Sequence, residues 1–415
     1  MKEQSLRPFF IIWTGQIASG LGSEIVQFAL IWWLTSTTGS ATVLAISTTV
    51  AIIPRVVMGP FIGVLVDRWN RRVVMIAADA VVALATVVLA GIFWMDVARI
   101  WHIYGLMAVR AVGGLFHRTA MTASVSLLVP EKHLTRIGGL FQTVAGIMAI
   151  VAPPLGALLV ALLPMQGILA IDIVTFGLAI IPLIFIPVPQ PTAESSKQTA
   201  GFVRSVLNDL HSGLLFTWQW KGLRMLTAII MSFNLLAIPM MMLIPILVTE
   251  HFGGGATEFG WFQSALGVGA IVGGFLLSTW GGFRRRVVTM TMTLIITGIA
   301  TTIMGAVPEY AILIAAIGWF VAGAMSSIFN GVSMAILQAT VPPEIQGRVF
   351  TLNWSLVSAM SPIGLLIAGP VADRFGASVW FLCGGMVQIA IGVGSCLIPA
   401  LMRIEEQKIG DEEHA

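Results

Sequence analysis

The sequence predicts an all-α membrane protein with twelve transmembrane helices in two pseudo-symmetric halves of six. Three observations predict this fold: an apolar composition, twelve apolar segments of membrane-spanning length, and a strong bias of positive charge between alternate loops. The 415 residues are 57% hydrophobic and 10% charged, whereas an ordinary soluble domain has about 25% charged residues. The net charge of +3 is small, so the sequence does not suggest a nucleic-acid partner.

The first predicted half covers residues 1–187. Each of its segments supplies the roughly 20 apolar residues that a helix needs to cross a bilayer. They are 8–35, 42–66, 73–95, 101–128, 137–163 and 167–187. A polar linker at 188–221 follows, and its part from Phe202 to about Trp220 is suited to an amphipathic helix on the membrane surface.

The second predicted half covers residues 222–402 and is followed by a tail at 403–415. Its segments are 222–249, 258–280, 287–307, 310–341, 349–371 and 376–402. The stretches VPEKHLTR (129–136) and VPPEIQGR (341–348) open the fifth and eleventh segments with Val, Pro and Arg in matching positions. Such duplication is typical of secondary transporters, whose substrate site lies near mid-membrane where the repeats meet.

The distribution of Lys and Arg predicts the orientation. Seventeen of the 22 lie on the side that holds both termini, two lie on the other side, and three lie within the spans. Positive charge is retained on the cytoplasmic side of a membrane. We therefore expect both termini in the cytoplasm and a multi-pass location in the inner (cytoplasmic) membrane.

Three motifs carry a resemblance to a known family. GVLVDRWNRRVVM (63–75) resembles the signature loop of the major facilitator superfamily, with Asn70 where the family usually has Gly; Asn tolerates a left-handed turn better than most residues. RAVGG (110–114) is similar to the second motif of that superfamily, and GIMAIVAPPLG (146–156) to the third, which is typical of antiporters. Together with VPPEIQGR, these motifs most resemble the macrolide-efflux (Mef-type) branch of drug:proton antiporters over the whole chain. The residues that carry the loop motif are Gly63, Asp67, Arg68, Arg71 and Arg72, and those that carry the antiporter motif are Gly146, Pro153, Pro154 and Gly156.

This resemblance implies the major facilitator fold and export of small amphipathic drugs, macrolides among them, by alternating access. It also implies a proton gradient as the energy source, no cofactor and a monomer in the lipid bilayer. The loop would latch the cytoplasmic gate, with Asp67 against the helix that begins near Arg348 and its arginines paired with nearby carboxylates. On the residues alone, Asp67 can instead cap a loop while the arginines serve topology.

Six ionisable residues fall within the predicted spans, where such residues indicate function. They are Glu24, Asp79, Asp172, Arg55, Arg110 and Arg118. Glu24 and Arg110 lie at depths that differ by about 3 Å at the rise of an α-helix, and the resemblance implies that spans one and four both line the cavity, so we expect them to interact. Glu24 is the candidate proton carrier, and the resemblance implies a proton-relay role for Arg110; a permanent structural pair is the alternative.

The other intramembrane charges form a predicted secondary network. Asp79 is expected to pair with the arginines of the 67–72 loop or with Arg118, and Asp172 to reach the outer interface. Arg55 has no obvious partner. His117 can serve as a proton relay or be hydrogen-bonded within the helix packing.

Polar and aromatic residues in several spans, and one methionine from the adaptable run Met240–Met242, are candidates for a substrate cavity. They are Gln142, Asn234, Met241, Phe329, Asn330, Asn353 and Trp354. No nucleotide-binding P-loop, His/Cys metal cluster or catalytic arrangement is visible, so neither an enzyme nor a metal site is expected. The alternatives are an exporter of an endogenous compound such as a siderophore, a membrane receptor or scaffold that transports nothing, and, more weakly, an enzyme that acts on lipids.

Overall fold

The computed structural model describes residues 6–130, 133–188, 216–341, 345–402 and 404. Within them the chain forms twelve long helices, which confirms the predicted fold class. The first six are α1 (Arg7–Thr38), α2 (Ala41–Arg68), α3 (Arg71–Trp94), α4 (Ile100–Leu128), α5 (Leu134–Leu162) and α6 (Met165–Phe185).

The second six helices follow the polar linker. They are α7 (Lys221–Ile246), α8 (Ala256–Trp280), α9 (Arg286–Ala306), α10 (Ile312–Thr340), α11 (Gln346–Phe375) and α12 (Ala377–Cys396). A π-helical segment, Leu247–His251, extends α7, and a short helix α13, Pro399–Met402, follows α12. Each predicted span therefore has its helix, although the predicted span 376–402 comprises α12 and α13.

Eleven of these helices are long and apolar enough to cross a membrane. The twelfth, α4, is not among them, because Arg110, His117 and Arg118 lower its hydropathy. Large apolar side chains lie on helix surfaces, Leu84 and Phe275 among them. Lipid tails can solvate such surfaces and water cannot, so the chain is a multi-pass membrane protein.

The residues separate into two compact units. One consists of Met1–Thr37 and Ser47–Arg204, and the other of Thr38–Ile46 and Ser205–Ala415. The first residues of α2 thus group with the second unit. The predicted domain limits stay a prediction, since most of the linker at 188–221 and almost all of the tail at 403–415 lie outside the described residues.

In the first unit α3 packs against α4 and α6. The start of α1 joins a buried apolar cluster with α2 and α3 that includes Phe9, Ile62 and Met75. Glycine at position 15 lets α1 lie close to α6. A Cβ there would be only 3.0 Å from the carbonyl oxygen of Leu178, so a larger residue would push the two helices apart. Close approach of helix backbones through small residues is a general feature of membrane proteins.

In the second unit α9 packs against α12, α8 against α10, and α7 against α11. The α8–α10 contact depends on glycine at three positions. A Cβ at Gly269 or Gly273 of α8 would overlap backbone oxygens of α10, and one at Gly323 would overlap the carbonyl oxygen of Leu266. These helices therefore touch backbone to backbone.

Candidate functional site

A buried charge cluster lies inside the first unit, centred on Arg110 of α4. Its Nη1 atom donates to Asp172 Oδ2 of α6 and, over 3.4 Å, to Thr86 Oγ1 of α3. Its Nη2 atom donates to the carbonyl oxygen of Ser23 on α1, 3.2 Å away. The Asp172 side chain is fully buried, and 10% of the Arg110 side chain is accessible. We call this group the Arg110 cluster; it joins four helices through one guanidinium.

Glycine at position 22 allows α1 to reach this cluster. A Cβ there would overlap Thr175 Oγ1 and lie 3.2 Å from Asp172 Oδ1. The close approach also lets Ser23 Oγ donate to Asp172 Oδ1 over 3.4 Å. Successive helix residues point about 100° apart, so the face that carries Gly22 and Ser23 turns Glu24 away.

The expected interaction of Glu24 with Arg110 is therefore wrong in its geometry. Glu24 is exposed, and the carboxylate beside Arg110 belongs to Asp172. The expectation that Asp172 reaches the outer interface is wrong too, since its side chain is fully buried. The proton-coupling roles of Glu24 and Arg110 stay predictions.

A second polar cluster, the Asp79 cluster, lies between α3, α4 and α1. Asp79 Oδ1 is 2.9 Å from His117 Nδ1, and Asp79 Oδ2 accepts from Gln16 Nε2 over 3.4 Å. The expected partners of Asp79 are therefore corrected: His117 stands where a loop arginine or Arg118 was predicted, and Arg118 is exposed. The sequence hint was His117 itself, which was weighed as a relay or as a hydrogen-bonded packing residue but not as the partner of Asp79.

The two clusters differ in what they can do chemically. Arginine stays protonated in proteins, so any change of protonation in the Arg110 cluster falls on Asp172. A neutral Asp172 would leave a buried positive charge without its counter-ion, which is energetically costly. Imidazole and carboxylate can exchange a proton, so the Asp79 cluster can hold a proton on either side chain.

Two arginines of the signature loop, Arg71 and Arg72, donate to main-chain carbonyls in the structure. Arg71 Nη1 donates to Ala123 O at 2.7 Å. Arg72 Nε donates to Leu183 O at 2.5 Å, and its Nη2 to Ile184 O. The last carbonyls of a helix lack intrahelical partners, so Arg72 satisfies the end of α6. The predicted pairing of the loop arginines with carboxylates stays a prediction, since the side chains of Asp67 and Arg68 lie outside the described residues.

Asn70 is an N-cap and not a left-handed turn residue. Its backbone is extended, with φ −65° and ψ 109°, and its Oδ1 accepts from the amides of Arg72 and Val73 at 3.1 and 3.3 Å. An Asn side chain is among the most favourable caps for these otherwise unpaired amides. The expected left-handed conformation is therefore corrected, and the departure from the family's Gly gains a structural reason.

Four predicted residues of α2 and one of α5 belong to described helices, but their surroundings lie outside what the structure describes. These are Arg55, Gly63, Asp67, Arg68 and Gln142. Their predicted roles, the gate contact of Asp67 included, stay predictions.

The antiporter motif lies in α5, with Pro153 and Pro154 inside the helix. A Cβ at Gly156 would lie 2.9 Å from the ring of Phe28 on α1, whereas one at Gly146 would meet nothing within 4 Å. Gly156 thus serves helix packing. At Gly146 the described contacts require no glycine.

The second unit contains a cavity of about 470 Å³, lined by α7, α8, α9, α10 and α12. Three of the predicted cavity residues line it, namely Asn234, Met241 and Asn330. We call it the α7–α10 cavity, after the helices that contribute most of its lining.

Three other predicted cavity residues do not line this cavity. Phe329 is fully buried, with its ring centroid 4.3 Å from that of Phe233. Asn353 Nδ2 donates to Thr227 Oγ1 over 3.2 Å, and Trp354 is 65% exposed. In this structure Phe329 and Asn353 are packing residues.

Sequence reasoning also missed a carboxylate at the end of α11. Asp373 accepts from the backbone amides of Ala41 at 2.6 Å and Thr42 at 3.1 Å, and from Ser40 Oγ at 3.1 Å. It therefore caps the start of α2, where a negative charge is favoured. A signal existed, because residues 369–375 (GPVADRF) repeat the spacing of 63–69 (GVLVDRW).

Comparison with known proteins agrees with this architecture. The profile of the Major Facilitator Superfamily matches residues 12–365 and 225–413. Macrolide efflux protein A of Streptococcus pyogenes is 32% identical over 398 residues, 96% of this chain and 97% of that protein. Multidrug efflux pump Tap of Mycolicibacterium fortuitum is 29% identical over 411 residues, 96% of this chain and 97% of that protein.

Solved structures extend the comparison to the fold. A bacterial homolog of the human lysosomal transporter Spinster covers 98% of both chains with a TM-score of 0.70 at 12% identity. At that identity the likeness concerns the fold alone. The profile match and the near-full-length relatives reach further: this chain belongs to the Major Facilitator Superfamily.

Proposed function

We propose that this chain is a secondary active transporter that exports amphipathic drugs, macrolides among them, by proton antiport with alternating access. The observation that carries the proposal is the 32% identity, over nearly the full length, to a protein named for macrolide efflux. The positive-charge bias supports a position in the cytoplasmic membrane with both termini inside. The protein would work as a monomer without a cofactor and without enzymatic activity.

Proton coupling would reside in the first unit. Its described part holds two titratable carboxylates at buried contacts, Asp172 and Asp79, and the exposed Glu24 beside Ser23. Glu24 remains our candidate carrier because proton exchange needs access. Arg110 would link the two sites, since it binds Asp172 and the carbonyl that directly precedes Glu24.

The test is transport by purified protein in liposomes. The vesicle lumen is made more acidic than the outside, so that antiport drives labelled erythromycin inward as protons leave. We expect accumulation that depends on the gradient and disappears with a protonophore. Protein-free liposomes with the same gradient measure passive trapping of the drug.

Variants then separate the coupling residues. Glu24→Gln should abolish gradient-driven accumulation, whereas Glu309→Gln, at an exposed position between α9 and α10, should leave it intact. Equal transport by Glu24→Gln and wild type would overturn the carrier assignment and direct attention to Asp172 and Asp79. Wild-type accumulation no greater than in protein-free liposomes would overturn the export of macrolides.

A further inference from the structure

The α7–α10 cavity has an exposed mouth and a buried floor. At the mouth Asn330 is exposed and Met241 is 36% exposed. At the floor Gln388 of α12 has no accessible surface, and Trp319 of α10 is 4% exposed. The volume of about 470 Å³ falls in the range of small-molecule pockets, about 300–1,000 Å³. The cavity thus leads from the surface of α7 and α10 into the interior of one helical bundle.

Close packing of α9 against α12 places Gln388 at the floor of the cavity. A Cβ at Gly385 would lie 2.6 Å from the carbonyl oxygen of Gly298, and Gly298 faces Gly385 in the same way. Gln388 follows Gly385 by three residues, so both lie on one face of α12. The amide is therefore held inside the bundle by backbone contact and cannot swing out to solvent.

The floor offers hydrogen-bonding groups that the described part of the chain leaves unused. Neither Nε2 nor Oε1 of Gln388 makes a hydrogen bond with a described residue, and neither does Nε1 of Trp319. Buried polar groups are nearly always paired, and an unpaired one is costly. A fully buried glutamine with both ends of its amide unused indicates a ligand that completes it.

The remaining polar lining groups of α7, α9 and α10 present mainly acceptors. The hydroxyls of Thr297 and Thr301 donate to carbonyls of their own helix at 2.7 and 2.9 Å. The amide nitrogens of Asn234 and Asn330 donate to carbonyls four residues earlier, at 3.0 and 2.9 Å. Each side-chain oxygen can still accept. The cavity therefore combines two donors and one acceptor at the floor with these acceptors along the walls.

None of the described residues that line the cavity is ionisable. A charged ligand group would be desolvated there without a counter-charge, which is strongly unfavourable. Neutral hydroxyl and carbonyl groups, by contrast, find both donors and acceptors, and apolar side chains such as Ile238 and Leu266 cover the carbon skeleton between them.

We propose that the α7–α10 cavity is a subsite for the uncharged, hydroxyl- and carbonyl-bearing part of an exported molecule, with Gln388 as its specificity-determining residue. The proposal rests on the proposed export function and narrows its substrate class. A macrolide lactone has this chemistry, whereas a hydrophobic cation without oxygen, such as tetraphenylphosphonium, does not.

The test is binding to the full-length protein in detergent, measured for erythromycin and tetraphenylphosphonium. Gln388→Leu keeps the side chain's bulk and removes its amide. We expect erythromycin binding to weaken about tenfold, as for the loss of one or two neutral hydrogen bonds, with tetraphenylphosphonium binding unchanged. Without ligand, the variant should have a higher Tm than wild type, because an unpaired buried amide has been removed.

The matched control is Gln263→Leu in α8, which replaces a partly buried glutamine of the second unit that is not among the described lining residues of the cavity. It should leave erythromycin binding unchanged. Unchanged erythromycin binding by Gln388→Leu, a lower Tm without ligand, or a wild type that does not bind erythromycin would each overturn the subsite. Erythromycin binding that depends on Gln388, without proton-driven transport in liposomes, would overturn the export mechanism and leave the subsite standing.

Discussion

Replacing Asp172 by Asn should destabilise the protein strongly. The substitution keeps the size of the side chain but removes the negative charge, so Arg110, whose side chain is 10% accessible, loses its counter-ion. Removing one partner of a buried ion pair costs about 3–5 kcal/mol. Because the Ser23 carbonyl and Thr86 hydroxyl still accept from Arg110, we expect the lower end, about 3 kcal/mol.

The double variant Asp172→Asn/Arg110→Met tests the cause of that loss. Removing both charges leaves no uncompensated ion, so the double variant should recover most of the lost stability. Unfolding by SDS in mixed micelles measures the free energies of unfolding. Glu309→Gln, an exposed carboxylate, is the control and should stay within about 0.5 kcal/mol of wild type.

Two results would refute this reasoning. One is a loss of less than about 1 kcal/mol for Asp172→Asn, which would mean that Arg110 is adequately solvated without the carboxylate. The other is a double variant no more stable than Asp172→Asn, which would mean that the loss comes from packing and not from charge.

Three further substitutions test contacts within each unit. Each variant is measured by unfolding in SDS mixed micelles. Gly273→Ala should lower the free energy of unfolding by about 1–3 kcal/mol because its Cβ would overlap the carbonyl oxygen of Ala324. The control Gly177→Ala, whose Cβ would have nothing within 4 Å, should lower it by less than about 0.5 kcal/mol. Equal effects of the two substitutions would contradict the packing argument. Arg72→Ala should lower the free energy of unfolding by about 1.5–3 kcal/mol, because two carbonyls at the end of α6 lose their donor. Arg72→Lys should recover only part of this stability. Full recovery by Lys would show that charge alone matters. Asp373→Ala should cost about 0.5–2 kcal/mol through the lost cap, and no loss would show that the cap is replaced by water.

The helices and their number could be predicted because hydropathy is a local property. Each span reads as about 20 successive apolar residues, whatever it packs against. Even α4, which carries Arg110, was predicted from its length and position, although it is the one among the twelve described helices without a sufficiently apolar window. The ends were harder: the predicted span 376–402 does not reveal that α12 stops at Cys396.

The partners of the buried charges could be predicted only in part. Sequence reasoning selected Arg110, Asp79 and His117 because an ionisable group inside a membrane is rarely without a role, and the structure places each of them in one of the two polar clusters. It assigned Arg110 to Glu24 from their similar depths and from the cavity-lining positions that the family resemblance implies for both spans. Depth along the membrane normal leaves rotation about the helix axis undetermined, and that rotation decides which neighbour a side chain meets.

The residues that line the cavity could also be predicted only in part. Asn234, Met241 and Asn330 were predicted because their helices usually line a cavity, and they do line one. Gln388 was not considered, because α12 carries no comparable expectation. Its significance comes from burial together with unused hydrogen-bonding groups, and neither can be read from a sequence.

The sequence by itself therefore determined the membrane location, the twelve helices and the family, because these depend on composition, segment length and motifs. Only the tertiary structure decided which charges meet, since Arg110 and Asp172 are 62 residues apart and lie on α4 and α6, which both pack against α3. It also decided that Glu24 faces away, because one residue of α-helix turns a side chain through about 100°.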